Sequence, residues 1–237
     1  MRWTQTKQKL CALIPGAGSG TRMKHPVKKL YRNLEDKPVL AHTIGALDRI
    51  SVIDSIFVIV DSSDFDMCQS SVIAPYGFRR VKNLVGGGLT RQASVFNGLK
   101  ALPSDTEFVI VHDGARPFVT DTMIFNCLEA ADQWGAAAIA TPVKDTIKIA
   151  NENGFISSTP DRHQLWSVQT PQVFRASVLL EAHQRAQRKE ITATDDATLV
   201  EQLGFRVKLV MGSYTNVKIT TPEDLIIAHA LKRTLCA

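Results

Sequence analysis

Short apolar runs alternate along this chain with longer amphipathic stretches, and that rhythm narrows the fold more than any other feature. The segments "KLCALI" (9–14), "SIFVIV" (55–60), "FVIVHD" (108–113), "AAAIATPV" (136–143) and "RVKLVMG" (206–212) read as strands. Between and after them, "VLAHTIGALDRI" (39–50), "RQASVFNGLKAL" (91–102) and the stretches 121–134 and 222–232 carry the apolar spacing of helices. A strand that is apolar throughout has no face to offer to water. Such strands, separated by helices, predict an α/β fold with a parallel or mostly parallel sheet covered on both sides. A length of 237 residues with 44% hydrophobic content admits one such domain or two, with a large core.

Two helix starts are chemically explicit. In "TTPEDL", Thr221 is placed to cap, Pro222 to open the first turn and Asp224 to complete a capping box. In "TDDATLVEQLGF", Thr194 is placed to cap, Asp195 and Asp196 face the positive helix end, and Gly204 ends the helix. One segment breaks the alternation. From Lys144 to Trp166, "TIKIA" and "GFISST" flank the turn signal "NENG", which predicts a β-hairpin. Because it interrupts the βα rhythm, it is expected to project as an arm. Its unpaired edges would be covered by a second copy of the chain, so a homodimer is expected.

The net charge of +5 suits anionic partners. Basic residues are dispersed and only 7% of the chain is aromatic, which argues against nucleic acid and for phosphorylated small molecules. No apolar stretch approaches the roughly 18 residues needed to span a bilayer, and the polar start "MRWTQTKQKL" lacks a signal-peptide core. Cys11, Cys68, Cys127 and Cys236 are scattered without a C-x-x-C pair, the usage of a reduced, cytoplasmic protein without a zinc site.

Chemistry concentrates where strands meet loops, since ligands of open α/β sheets bind beyond the carboxyl ends of the strands. "LIPGAGSGTRM" (13–23) has the composition of a phosphate cradle, yet neither G-x-G-x-x-G nor G-x-x-x-x-G-K-[ST] fits it from any starting glycine. Arg22 ends that loop, and Lys29 follows seven residues later, next to Lys28; solvated surface lysine is the ordinary reading of both lysines. In "VIVHDGARP", Asp113 directly follows a strand and Arg116 comes three residues on. A carboxylate there suits Mg²⁺, a hard cation that pairs with substrate phosphates; a turn-closing Asp is the plainer reading. In "NLVGGGLTRQASV", Gly86, Gly87 and Gly88 permit close backbone approach before a helix N-terminus. "NVKITTPEDL" puts Lys218 in an expected short strand before the last helix, and His112 reads as a strand-end packing residue. No H-E-x-x-H, paired His/Cys spacing or G-x-S-x-G occurs, so phosphoryl or nucleotidyl transfer remains.

Taken together, "PGAGSGTRM", "KKLY", "GGGLTRQASV", "VHDGARP", "PVKDTIK", "LWSVQTPQVF", "TDDATLVE" and "NVKITTPEDL" resemble, in order, the 2-C-methyl-D-erythritol 4-phosphate cytidylyltransferase family over about residues 10–233. The resemblance implies a single Rossmann-like nucleotidyltransferase domain over 1–237 with a dimerising β-arm at about 144–166. It also implies transfer from CTP to methylerythritol phosphate, with release of pyrophosphate, in the non-mevalonate route to isoprenoids.

By resemblance, Arg22, Lys29 and Lys218 are catalytic, and Asp113 binds the metal. Pro15, Gly16, Ala17, Gly18, Gly20, Gly87, Gly88, Ser94 and Asp113 surround CTP. Arg116, Thr170, Thr194, Asp113 and Lys218 face the sugar phosphate, with Thr146 and Arg162 reaching over from the neighbouring subunit's arm. Two departures stand out. Gly16 replaces a frequent alanine and should loosen the loop, and Leu89 replaces a frequent acidic residue. A ribitol 5-phosphate cytidylyltransferase shares the Gly loop, "HDxxRP" and "NxKxTTP" and is the nearest alternative. A nucleotide-binding oxidoreductase and a non-enzymatic nucleotide-binding protein are alternatives of other classes. A positioned arginine contributes on the order of 10³–10⁵ in phosphoryl transfer, so Arg22→Ala is expected to abolish turnover and keep the fold.

Overall fold

The computed structural model describes residues 8–18 and 28–235. In chain order the elements begin with β1 (Leu10–Pro15), β2 (Asn33–Leu34), β3 (Lys37–Pro38), α1 (Val39–Asp48), β4 (Ser55–Val60) and α2 (Phe65–Cys68). They continue with β5 (Val81–Gly86), α3 (Arg91–Lys100), β6 (Phe108–Val111), α4 (Asp121–Trp134) and β7 (Ala136–Pro142). After β8 (Ile149–Ala150) and β9 (Ile156–Ser158) come β10 (Trp166–Arg175), α5 (Ala176–Arg188), α6 (Asp196–Glu201), β11 (Lys208–Met211) and α7 (Pro222–Leu235). Seven strands form one sheet in the order β11-β7-β10-β6-β1-β4-β5. Only β10 runs antiparallel to its neighbours. The mostly parallel sheet expected from the sequence is therefore present.

The period-two alternation of a strand explains the layers. On β1, Leu10, Ala12 and Ile14 face a core built with Leu40 and Ile44 of α1 and Ile124 and Leu128 of α4. Cys11 and Leu13 face the opposite core, with Val95 and Leu99 of α3, Leu179 of α5 and Val200 of α6. All five of these β1 side chains are fully buried. At about 25 cal/mol per Å² of apolar surface, each leucine or isoleucine placed this way stabilises the fold by roughly 1.5–3 kcal/mol before entropy is counted.

Three expectations need correction. β10 was read only as a motif; its Ser167, Gln169, Thr170 and Pro171 hide a central strand. The register shifts between Val168 and Gln172, and such a bulge is where a sheet tolerates proline. β5, one of the two edge strands, runs into the glycine segment and is only partly buried, so it lacks the continuous apolar run of the inner strands. Lys218 lies in an irregular segment between Gly212 and Thr221, and not in a strand, although Ile219 N donates to the Ala115 carbonyl at 2.9 Å.

The caps divide. Thr221 and Asp224 bond reciprocally at the start of α7, as expected for a capping box. At α6 the cap is Asp195, whose carboxylate accepts from Thr198 N at 3.0 Å; Thr194 sits one residue too early. The hairpin β8–β9 forms a separate two-stranded sheet, shorter than the runs that announced it. Its turn is held by Asn151 Oδ1, which accepts from the N–H groups of Asn153 and Phe155, and Gly154 takes a φ of 82°.

Candidate active site

Four chain segments meet beyond the carboxyl ends of the central parallel strands. After β1 the chain turns so that Gly16 N donates to the Ile59 carbonyl at 2.7 Å. Gly87 N donates to Val60 O at 2.8 Å, and a side chain at Gly87 would collide with Ala17. Both glycine segments are thus bonded to the end of β4, and the absence of a Cβ at Gly87 lets that turn pass close to Ala17. Gly16 itself is anchored to β4 by its bond to Ile59. A methyl there would come within 2.8 Å of Leu30 Cδ1, so glycine leaves Leu30 its place. A Cβ at Gly18 would meet no atom of the described residues within 4 Å. Gly20 and Arg22 lie outside the described residues.

Ser94 is fully buried, its Oγ accepting from Gly88 N at 3.0 Å and donating to Thr90 O at 2.8 Å. It shapes the Gly87–Gly88 turn from beneath. Of the two adjacent lysines, Lys28 is committed to Asp64 at 2.7 Å, while Lys29 opens the short turn Lys29–Tyr31. Leu89, the other departure, is fully exposed.

Asp113, two residues past β6, is the electrostatic centre. It is 6% exposed, yet ionised groups converge on it: Arg91 Nε on Oδ1 at 3.0 Å, Lys218 Nζ on Oδ2 at 2.6 Å, and Arg116 Nε 3.8 Å from Oδ2. Burial by itself would raise its pKa. The charges of Arg91 and then Lys218 outweigh burial and hold the carboxyl well below the usual range. Burial lowers the pKa of Arg116, whose Nη1 donates to Asn216 O at 2.7 Å and whose Nε has no hydrogen-bond partner among the described residues.

The backbone of Asp113 is fixed from behind. Its N–H donates to Thr170 Oγ1 at 3.0 Å. The Thr170 hydroxyl lies 3.1 Å from His112 Nδ1, and His112 Nε2 lies 3.0 Å from the Arg116 carbonyl. A carbonyl only accepts, so Nε2 carries the proton and Nδ1 receives the threonine hydroxyl. Burial pushes the His112 pKa down to about 4, so the ring is neutral. His112 is a packing and hydrogen-bonding residue at the strand end, as expected, and both of its nitrogens are occupied.

Arg91, Asp113, Arg116 and Lys218 line a cavity of about 250 Å³ whose other walls come from β10 and the 194–195 segment, including Gln169, Thr170, Gln172 and Thr194. This lies below the roughly 300–1,000 Å³ of sites for drug-sized ligands, a size for one small phosphorylated molecule. A larger hollow, about 400 Å³, lies between α2 and β5, lined by Phe65, Ile73 and Leu84 with a single lysine, Lys82, and no carboxylate. None of the expected site residues among those described lines it. Thr146 and Arg162 stand apart from the cavity: both are exposed on the hairpin segment, and Arg162 Nη1 donates to the Lys144 carbonyl at 3.0 Å.

Sequence reasoning missed Arg91, Gln172 and Asn216. Arg91 opens α3, and only its partners Asp113 and Asp196 single it out. Gln172 links Asp195 Oδ2 to the Ala197 N–H, and Asn216 Nδ2 donates to Gln169 Oε1 and Thr170 O. No local pattern marks either residue.

A glycine-lined turn at the sheet's carboxyl edge beside a carboxylate ringed by cations defines a nucleotide-dependent transferase of the α/β class. The family model described as IspD, 2-C-methyl-D-erythritol 4-phosphate cytidylyltransferase, matches residues 10–234, and the chain belongs to that family. The chain is 50% identical over 228 residues to the 2-C-methyl-D-erythritol 4-phosphate cytidylyltransferase of Desulforamulus reducens, covering 96% of this chain and 97% of that one. It is also 50% identical over 223 residues to the protein of the same name from Syntrophotalea carbinolica, covering 94% and 95%. Among solved structures, 4-diphosphocytidyl-2C-methyl-D-erythritol synthase from Anaerococcus prevotii superposes with a TM-score of 0.84 at 33% identity, over 95% of this chain and 96% of that one.

Proposed function

We propose that this chain joins CTP to 2-C-methyl-D-erythritol 4-phosphate, giving 4-diphosphocytidyl-2-C-methyl-D-erythritol and pyrophosphate in the non-mevalonate route to isoprenoid precursors. The observation that carries this reading is Asp113 at the end of β6, with Arg91, Arg116 and Lys218 around one cavity. A phosphate oxygen of the sugar alcohol attacks the α-phosphorus of CTP. The new O–P bond forms as the bond from that phosphorus to pyrophosphate breaks, and the electron pair leaves with pyrophosphate. The attacking oxygen is already anionic, so no general base is needed. His112, with both nitrogens engaged, is not placed to be one.

What the protein must supply is positive charge where two anions meet. Lys218 exchanges the Asp113 carboxylate for the α-phosphate, and Arg116 offers its open Nε to the sugar phosphate. Arg22 and Lys29 are assigned to the transition state from the loop side, and Gly16 to Gly20 with Gly87 and Gly88 to the nucleotide, on the strength of their motifs.

The donor set around Asp113 fits a hard divalent cation of the Mg²⁺ kind. It offers one carboxylate, and among the described residues no group of three or more His, Cys, Asp or Glu side chains forms a cage. Sites of that kind are completed by substrate phosphates. The cation, when bound, adds neutralising charge at the phosphates.

Thr146 and Arg162 are assigned to the neighbouring subunit's sugar phosphate, with the hairpin as the dimer contact. Support comes from its exposed apolar residues, among them Ile149, Phe155 and Ile156. Among the described residues no helix is long and apolar enough to cross a membrane, and with Cys11, Cys68 and Cys127 buried and free, we place the chain in the cytoplasm.

The test is pyrophosphate release from CTP with methylerythritol phosphate or with ribitol 5-phosphate, then with the other nucleoside triphosphates. Preference for CTP with methylerythritol phosphate is expected. Equal or faster release with ribitol 5-phosphate overturns the substrate assignment.

A further inference from the structure

Arg91 is the pivot of a chain of charge that runs from the cavity into the opposite helical layer. Its Nε donates to Asp113 Oδ1 at 3.0 Å and its Nη1 to Asp196 Oδ2 at 2.7 Å. The second oxygen of Asp196 takes His183 Nε2 at 2.9 Å. Asp196 opens α6 and His183 lies in the middle of α5, and each is 1% exposed. The His183 ring is stacked on Phe96 of α3, with centroids 5.9 Å apart and planes 10° from parallel. None of the assigned roles above uses either residue.

The geometry has a mechanical consequence. A planar guanidinium held by one carboxylate can still roll about that contact, whereas two carboxylates gripping different nitrogens set its plane. Asp196 can act as the second grip only if it stays ionised and oriented while buried. His183 satisfies the oxygen that Arg91 leaves free, as a buried ion pair requires. With Arg91 set, Oδ1 of Asp113 has a fixed partner, and the Asp113 backbone is tied to Thr170. Oδ2 is then the oxygen free to exchange Lys218 for another cation.

We infer that Asp196 and His183 are positioning residues: through Arg91 they orient the Asp113 carboxylate so that Oδ1 stays with the protein and Oδ2 is presented to a nucleotide-bound divalent cation. This rests on the nucleotide-binding half of the reading above and is independent of the sugar substrate. Groups that orient a metal-binding side chain from behind typically contribute about 10–100-fold in metal affinity or activity.

The test compares the full chain with Asp196→Asn, His183→Leu and His183→Gln. The affinity for Mn²⁺ in the presence of CTP, without sugar phosphate, is read by electron paramagnetic resonance, alongside thermal melting. Asp196→Asn and His183→Leu are expected to weaken Mn²⁺ binding by roughly tenfold or more, and His183→Gln, which keeps a donor, to recover most of that loss. The metal concentration for half-maximal pyrophosphate release should shift by the same factor. A merely structural link would lower the melting temperature and leave the metal affinity of the folded protein alone.

Folded Asp196→Asn and His183→Leu proteins with unchanged Mn²⁺ affinity overturn the inference; should Asp196→Asn fail to fold, the two His183 variants decide. An unaltered chain that binds Mn²⁺ with CTP but releases no pyrophosphate with methylerythritol phosphate refutes the functional reading, and the variant comparison still settles this one. Failure of the unaltered chain to bind Mn²⁺ with CTP overturns both.

Discussion

The corner around Asp113 and the hairpin segment at 144–166 supply residues to the same proposed site, and they are built in opposite ways. At the corner, partners come from far along the chain: Arg91, Thr170, Asn216 and Lys218 converge on Asp113 and Arg116. The side chains are mostly buried and ionised. On the hairpin the bonds are local, such as Ser157 Oγ to Ile149 O, Lys148 to Thr159 and Arg162 to Lys144 O, and nearly every residue is exposed. The corner is therefore preorganised by the sheet and both helical layers, and it costs little to order when substrate arrives. Thr146 and Arg162 draw no such support from their own subunit.

The sharpest way to break this contrast is to remove its centre. Asp113→Ala leaves Arg91 and Lys218 without their shared carboxylate, and losing one partner of a buried pair costs roughly 3–5 kcal/mol. Denaturant melts should show that loss together with absent turnover. A variant as stable as the parent would mean that the cations repel one another less than their spacing implies.

Acid should expose the same corner. The folded pKa of His112, about 4, lies below the ordinary value of 6.5, so the unfolded chain takes up the proton first. The stabilisation is complete above about pH 6.5 and is lost as pH falls towards 4, amounting to about 3 kcal/mol. Asp113 and Asp196, both held below the usual carboxylate pKa, lose their contributions only at still lower pH. Melts in chelator from pH 7.5 to 4 check this, and a flat profile over that range would contradict a buried neutral ring.

The hairpin is tested by function instead. Arg162→Ala is expected to raise KM for the sugar phosphate about 10–100-fold, the scale of one charged hydrogen bond, with melting temperature and CTP binding unchanged. If the arm serves a neighbouring site, mixing Arg162→Ala with Lys218→Ala subunits should, at low sugar phosphate, restore part of the activity that each variant alone has lost. No recovery after exchange of subunits would place the arm outside the partner's site. The smallest effect is expected at Thr90, whose Oγ1 caps α3 by accepting from Ala93 N at 3.0 Å. Thr90→Ala should cost about 1 kcal/mol and leave the hairpin's protection from hydrogen exchange as it was.

Legibility followed the range of the forces involved. The strand Ser55–Val60 and the helix Asp121–Trp134 match their sequence readings residue for residue, because burial on one or two faces imposes a period that local sequence must carry. The turn "NENG" and the Thr221 cap were legible because their hydrogen bonds close within four residues. β10 was not, since its polar residues and proline satisfy the site and the bulge and leave no strand period. Gly87 and Gly88, Asp113 and Arg116 read as a candidate phosphate site from residue type and position, and the structure brings Asp113 and Arg116 to one cavity. The hydroxyls of Ser94 and Thr170 brace the Gly88 turn and the Asp113 backbone, bonds that neither motif discloses.

Periodicity, caps and the ordered motifs sufficed for an α/β chain of this family. Which cations meet which carboxylates lay beyond them. Arg91 and Asp196 are 105 positions apart, and Lys218 is as far again from Asp113. Contacts at such separations have no signature in either flanking segment; they exist only once strands from distant parts of the chain lie side by side and burial makes an unpaired charge too costly to leave alone.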